Sequence, residues 1–117
     1  MATAMLKEKG FILAILTSEN SSIVLQRAKK LNIEEVYINE HEKLKRMTYL
    51  TKKYNINLNE VAYIGDDIND LPLLKSVGLS ALTGNSPIIN KFKPDYITKR
   101  YGGDGAYREF IEIILNA

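Results

Sequence analysis

Cysteine is absent from this chain, and histidine occurs once, at position 41. Disulfides, thiolate metal sites and a cysteine nucleophile are therefore excluded. A lone imidazole such as His41, without a partner motif, reads as a loop residue rather than as a base or a metal ligand. Long hydrophobic runs are also missing. The longest, residues 11–16, is too short for a membrane span or for the core of a signal peptide. Nor does charge of one sign dominate: 16 basic against 14 acidic residues leave a net charge of +2. The basic residues are scattered, as at Lys29, Lys43, Lys52 and Arg100, and form no stripe. Neither nucleic acid nor a membrane is an expected partner, and the expected location is the cytoplasm. There is no internal repeat, low-complexity tract or interdomain linker.

What remains is an ordinary globular composition. The 117 residues are 45% hydrophobic and 26% charged, enough for one domain with a core of its own. Residues 1–9 read as a helix stopped by Gly10. Residues 11–16 form a continuous apolar run ending at Thr17 and Ser18, the pattern of a strand buried on both faces of a parallel sheet. Helical periodicity follows over residues 19–31 and 42–54, with a short strand at residues 36–38 between them. Further strands are expected at 61–64, 79–82 and 96–97. Short helical pieces fall at 71–76 and 87–92, and a closing helix at 106–115. Strands alternating with helices imply right-handed crossovers and an α/β fold with a parallel sheet. In such sheets ligands bind beyond the carboxyl ends of the strands.

Two of those ends carry chemistry. The first holds Thr17 and Ser18, whose hydroxyls, with backbone N–H groups at a helix start, suit a phosphate; alternatively Ser18 simply caps the helix. The second is Tyr63-Ile64-Gly65-Asp66-Asp67-Ile68-Asn69-Asp70. Three carboxylates crowded behind an apolar strand repel one another. Mg²⁺ relieves that conflict, because it prefers carboxylate oxygens and keeps waters that a phosphate displaces. Asp66 is the better direct ligand, with Asp67 and Asp70 as further or supporting carboxylates. The competing reading is helix capping by Asp67 or Asn69, with Asp70 in the first turn. Lys43 stands at a helix start, where a cation opposes the macrodipole unless an anion sits beside it; otherwise it is a solvated surface lysine.

Thr17-Ser18, then Lys43, then Gly65-Asp66-Asp67-Ile68-Asn69-Asp70, each behind its own strand, resemble three of the four motifs of the haloacid dehalogenase superfamily. The tail Gly102-Gly103-Asp104-Gly105-Ala106-Tyr107-Arg108-Glu109-Phe110 and the stretch Gly78-Leu79-Ser80-Ala81 are similar to one branch. That branch comprises phosphatases of 3-deoxy-manno-octulosonate 8-phosphate and of nine-carbon keto-acid 9-phosphates, with the related C-terminal domain of animal CMP-sialic acid synthetases. The resemblance implies a three-layer, Rossmann-like parallel sheet. It also implies Mg²⁺ on Asp66, Asp67 and Asp70, a phosphoryl group held by Thr17, Ser18 and Lys43, and Arg108 as a contact to substrate. The implied partners are a small sugar-acid phosphate and, as in tetrameric relatives, further copies of the chain.

The chain departs from that family in one respect. The family's Asp-x-Asp pair, which supplies the nucleophile and the general acid, does not precede Thr17. The resemblance therefore implies that the usual first strand and its hairpin are missing. Two functions follow as expectations. One is a Mg²⁺-dependent sugar-acid phosphatase that is incomplete, and inactive, as this chain. The other is a non-catalytic phosphatase-like domain with an oligomerisation or regulatory role related to CMP-sialic acid synthesis. A receiver domain is disfavoured, because receivers place the acidic pair before the hydroxyl and the lysine.

Overall fold

The computed structural model describes residues 10–102 and 105–116; the helix expected over residues 1–9 lies outside them. Backbone contacts divide the chain into two units, Met1–His41 and Glu42–Ala117. Every ladder in both is parallel, as the strand–helix alternation predicts.

The first unit pairs β1 (Ala14–Leu16) with β2 (Glu35–Tyr37), joined through α1 (Ser22–Lys30). Its strand starts three residues later than the apolar run, and Phe11 and Ile12 are exposed. The helix begins later than expected too, with Ser21 rather than Ser18 at its N-cap position. The capping alternative for Ser18 is thereby corrected: the chain runs through a turn at residues 17–20 before helical geometry starts. In that turn the Glu19 N–H donates to Thr17 Oγ1 at 3.1 Å. The Asn39 N–H donates to the Glu19 carbonyl, and the Glu40 N–H to the Thr17 carbonyl, both at 2.8 Å.

The second unit holds α2 (Lys43–Lys53), β3 (Ala62–Gly65), α3 (Leu71–Leu74), β4 (Leu79–Leu82), β5 (Tyr96–Ile97) and α4 (Ala106–Leu115). Its sheet order is β3-β4-β5. Leu74, Leu82 and Ile88 form a buried cluster, with Tyr63, Leu71 and Phe92 packed against it. Residues 87–91 are turns held by bonds such as Phe92 N–H to the Ile88 carbonyl at 3.2 Å. At the β4–β5 seam Asp95 Oδ2 accepts from both the backbone and the hydroxyl of Ser80, and the Asp95 N–H returns a bond to Ser80 Oγ.

Both long helices of the N-terminal half end the same way, and asparagine is the reason. After α1, Asn32 adopts φ 58°; its N–H reaches the Lys29 carbonyl and that of Ile33 the Ala28 carbonyl. After α2, Asn55 at φ 55° repeats the pattern with Lys52, and Ile56 with Thr51. This is the Schellman arrangement, which needs a left-handed residue just past the helix, and asparagine tolerates that conformation better than other side chains with a Cβ.

Candidate functional site

The acidic turn is built around one carboxylate, Asp70. β3 delivers the chain to Gly65, and a single 3₁₀ turn, Ile68–Asp70, leads into α3. Asp67 is the N-cap of that turn: its Oδ1 accepts from the Ile68 N–H at 2.7 Å, and a reciprocal capping box joins it to Asp70. The backbone N–H groups of Asp66 and Asp67 donate to Asp70 Oδ2 at 3.0 and 3.2 Å. Lys43 Nζ and the Tyr63 hydroxyl each donate to Oδ1 at 2.6 Å. Four donors therefore saturate a side chain that is only 2% exposed. Gly65 makes this possible, because a Cβ there would stand 2.7 Å from Asp70 Cβ.

Burial alone would hold Asp70 in its neutral form. The bonds from Lys43, Tyr63 and the backbone outweigh it, and its pKa lies below the usual carboxylate range. Tyr63 moves the other way: burial first, then the negative charge of Asp70, pushes its phenol well above the ordinary value. Tyr63 therefore stays a donor. Lys43 is the first residue of α2 and only 7% exposed. The anion that offsets its clash with the helix dipole is Asp70 of the same chain.

Asp66 lies on the outer side of this hub. Partial burial and the neighbouring charges of Asp70 and Asp67 push its pKa up, and Lys43 only partly counters them. Its carbonyl accepts from the Ser86 hydroxyl at 2.8 Å, which pins the turn to the loop after β4. Among the described residues no set of three or more His, Cys, Asp or Glu side chains is arranged to enclose a metal. A full protein cage is thus not what the turn offers. An excess of negative charge on Asp66, beside saturated Asp70, fits a cation that takes one or two carboxylates and keeps its waters, the habit of Mg²⁺.

The second unit thus gathers Lys43, Asp66, Asp67 and Asp70. The capping reading applies to Asp67, and Asp70 organises the turn, while Asp66 is exposed. Thr17 and Ser18 belong to the first unit. Arg108 stands on the surface of α4, where Nε lies 3.4 Å from Glu112 Oε1, a pair whose members are 74% and 55% exposed. Such a pair contributes little to stability. Its neighbour Glu109 is the structural residue of the tail. Glu109 accepts from the Lys99 and Arg100 N–H groups and the Tyr96 hydroxyl, at 2.9, 3.0 and 2.9 Å.

Sequence reasoning missed Tyr63, Ser86 and Glu109. For Tyr63 a signal existed. A tyrosine two residues before the glycine of an acidic turn brings a hydroxyl to a strand that is otherwise apolar, and a buried hydroxyl requires a partner. Ser86 and Glu109 act across 20 and about 10 positions of chain, respectively, and no local pattern marks them.

Comparison with known proteins identifies the family. A family model described as haloacid dehalogenase-like hydrolase matches residues 6–110. The 3-deoxy-D-manno-octulosonate 8-phosphate phosphatase of Haemophilus influenzae is 33% identical over 113 residues, which are 97% of this chain and 63% of that protein. The Escherichia coli enzyme of the same name is 35% identical over 104 residues, 89% of this chain and 55% of the relative. The chain thus spans 55–63% of the length of these curated relatives. Among solved structures, the Moraxella catarrhalis 8-phosphate phosphatase, a complex with magnesium, phosphate and the KDO molecule, superposes with a TM-score of 0.92 at 40% identity, covering 98% of this chain and 66% of that one. The Yersinia pestis phosphatase gives 0.91 at 32% identity, covering 98% and 62%. With its parallel α/β architecture and its acidic turn behind β3, the chain belongs to the haloacid dehalogenase-like hydrolase family.

Proposed function

We propose that this chain is the metal- and phosphate-holding part of a Mg²⁺-dependent phosphatase acting on a sugar-acid phosphate, 3-deoxy-D-manno-octulosonate 8-phosphate or a nine-carbon relative. The observation that supports this reading best is the Lys43–Asp70 pair. Asp70 anchors the Lys43 ammonium at 2.6 Å, on the same turn that leaves Asp66 short of positive charge. Asp66 holds the metal, with Asp67 beside it, and Asp70 fixes the turn that aims both. Lys43, already neutralised in part, places its remaining donors toward a phosphoryl oxygen. From the resemblance, Thr17 and Ser18 are further candidates to bind phosphate, and Arg108 is a candidate contact to substrate. When bound, Mg²⁺ polarises the phosphoryl group and offsets its charge. The whole chain acts as one such domain and associates with further copies of itself.

The reaction also needs a carboxylate nucleophile and a proton donor. No Asp-x-Asp pair is present in the 117 residues, so both must come from residues outside this sequence. The purified chain alone is expected to bind Mg²⁺ and inorganic phosphate and to show no phosphatase turnover above trace. Robust Mg²⁺-dependent turnover by the chain alone, abolished by Asp66→Ala, would overturn this. The missing pair also favours a second reading, a phosphatase-like domain acting in oligomerisation or regulation. The two separate on Mg²⁺ binding: the first requires it and the second does not.

A further inference from the structure

The Lys43 ammonium carries three N–H donors, and the Asp70 carboxylate offers about four lone-pair positions. The backbone N–H groups of Asp66 and Asp67 take Asp70 Oδ2 at 3.0 and 3.2 Å. On Oδ1 one position goes to Lys43 Nζ and the other to the Tyr63 hydroxyl, both at 2.6 Å. A buried ammonium turns as many donors as it can onto its carboxylate partner, because unmade hydrogen bonds of a buried charge are costly. Here no lone pair remains for a second one. Among the described residues Asp70 is the hydrogen-bond partner of Lys43 Nζ, through one bond. Two N–H donors therefore stay unused on a side chain that is only 7% exposed.

Packing, rather than the hydrogen bond itself, puts Tyr63 in this place. It lies on β3, against the buried cluster of Leu74, Leu82 and Ile88. The ring is thus fixed from the core side, and the hydroxyl is presented to Oδ1 with little freedom to move. Phenylalanine would fill the same space and withdraw only the oxygen.

We infer that Tyr63 is a positioning residue: by occupying the second lone pair of Asp70 Oδ1 it holds Lys43 to a single bond and keeps the other two N–H groups of the ammonium available to an oxyanion. The inference rests on the phosphatase reading above for the identity of that anion, a phosphoryl group. It goes further in assigning to Tyr63 the number of donors that Lys43 can offer. In Tyr63→Phe the vacated lone pair lies on the oxygen that Lys43 already holds. The ammonium then turns a second N–H onto it, and the donor gained by Asp70 is lost to the anion.

The test compares the full chain with Tyr63→Phe, both isotope-labelled at lysine, with Mg²⁺ and inorganic phosphate as probes. The Lys43 ammonium is followed by the NMR signal of its Nζ–H group, and binding of each probe by calorimetry. In the free chain the substitution should shift the Lys43 signal and leave those of the exposed lysines in place. It should weaken phosphate binding about tenfold or more, the effect of one hydrogen bond to a charged group, and leave Mg²⁺ binding as in the parent. A purely structural tyrosine would lower stability without separating the two probes. An unmoved Lys43 signal, an equal loss for both probes, or phosphate affinity equal to that of a phosphate-binding parent would overturn the inference. Should the variant fail to fold, the parent decides. Its Tyr63 hydroxyl proton should exchange slowly and show a nuclear Overhauser effect to the Lys43 ammonium protons; a fast-exchanging hydroxyl overturns the inference. The phosphatase reading is judged separately, by whether phosphate shifts the Lys43 signal of the parent. A signal that ignores phosphate but moves in Tyr63→Phe upholds the positioning and counts against the phosphatase reading. One that answers phosphate equally in both proteins does the reverse.

Discussion

The Lys43 ammonium lies 2.6 Å from Asp70 Oδ1, and both side chains are almost completely buried. An ion pair in such surroundings is balanced against the large cost of taking two charges out of water. Removing one partner strands the other. Asp70→Ala should therefore destabilise the protein by about 3–5 kcal/mol, read by urea unfolding. Replacing both, as Lys43→Met with Asp70→Leu, should recover a large part of that loss. If the double variant is no more stable than Asp70→Ala, the pair is not the source of the effect.

Asp66→Asn should have the opposite sign. The fold raises the pKa of Asp66 through partial burial and then through Asp70 and Asp67, so its ionised form opposes folding. That penalty is present above the raised pKa and vanishes once the group is protonated in both folded and unfolded states. Thermal melts without metal should show the variant more stable than the parent at pH 7, and the two converging as pH falls below the ordinary carboxylate range. Added Mg²⁺ should raise the melting temperature of the parent and not that of the variant.

Gly65→Ala tests the packing of the turn. The added Cβ would meet Asp70 Cβ, Cγ and Oδ2 at 2.7, 2.8 and 2.9 Å, and Asp70 is too firmly bonded to retreat. A cost of about 1–3 kcal/mol is expected, as for other overpacked sites. Loss of the Mg²⁺-induced shift in melting temperature should accompany it. An unchanged Mg²⁺ response would show that the turn tolerates displacement of Asp70.

Glu109 supplies a pH-dependent latch. Bonds from the Lys99 N–H, opposed by burial and reinforced by the Arg100 N–H and the Tyr96 hydroxyl, hold its pKa below the usual value. A lowered folded pKa stabilises above the unfolded pKa, and the gain is lost as pH falls through the folded one. Glu109→Gln should therefore loosen α4 from residues 96–100 at neutral pH, visible as faster amide exchange at Lys99 and Arg100. The difference from the parent should disappear only in acid, once the pH has fallen through the lowered folded pKa and the parent carboxyl is protonated too.

How much of this was legible beforehand differs from residue to residue. Strands at 79–82 and 96–97 and the helix at 106–115 coincide with the observed Leu79–Leu82, Tyr96–Ile97 and Ala106–Leu115. Gly78 explains one of these boundaries: a Cβ there would stand 1.9 Å from the Asn59 carbonyl oxygen, so the close approach admits only glycine and marks the strand start. The first strand was drawn too long at its beginning. Apolar residue type alone extended it: ladder pairing with β2 covers only Ala14–Leu16, and Phe11 and Ile12 lie exposed before it.

The sequence by itself determined the parallel α/β class, the place of the acidic turn behind an apolar strand, and the absence of any Asp-x-Asp pair. These depend on period, adjacency and residue type, all of which are local. Tertiary structure alone decided the division of labour within the Asp66–Asp70 cluster. Spacing cannot tell which carboxylate faces inward. That choice follows from where Lys43, 27 positions away, and Tyr63 deliver their donors: they saturate Asp70 inside the turn, and the uncompensated charge is left on Asp66.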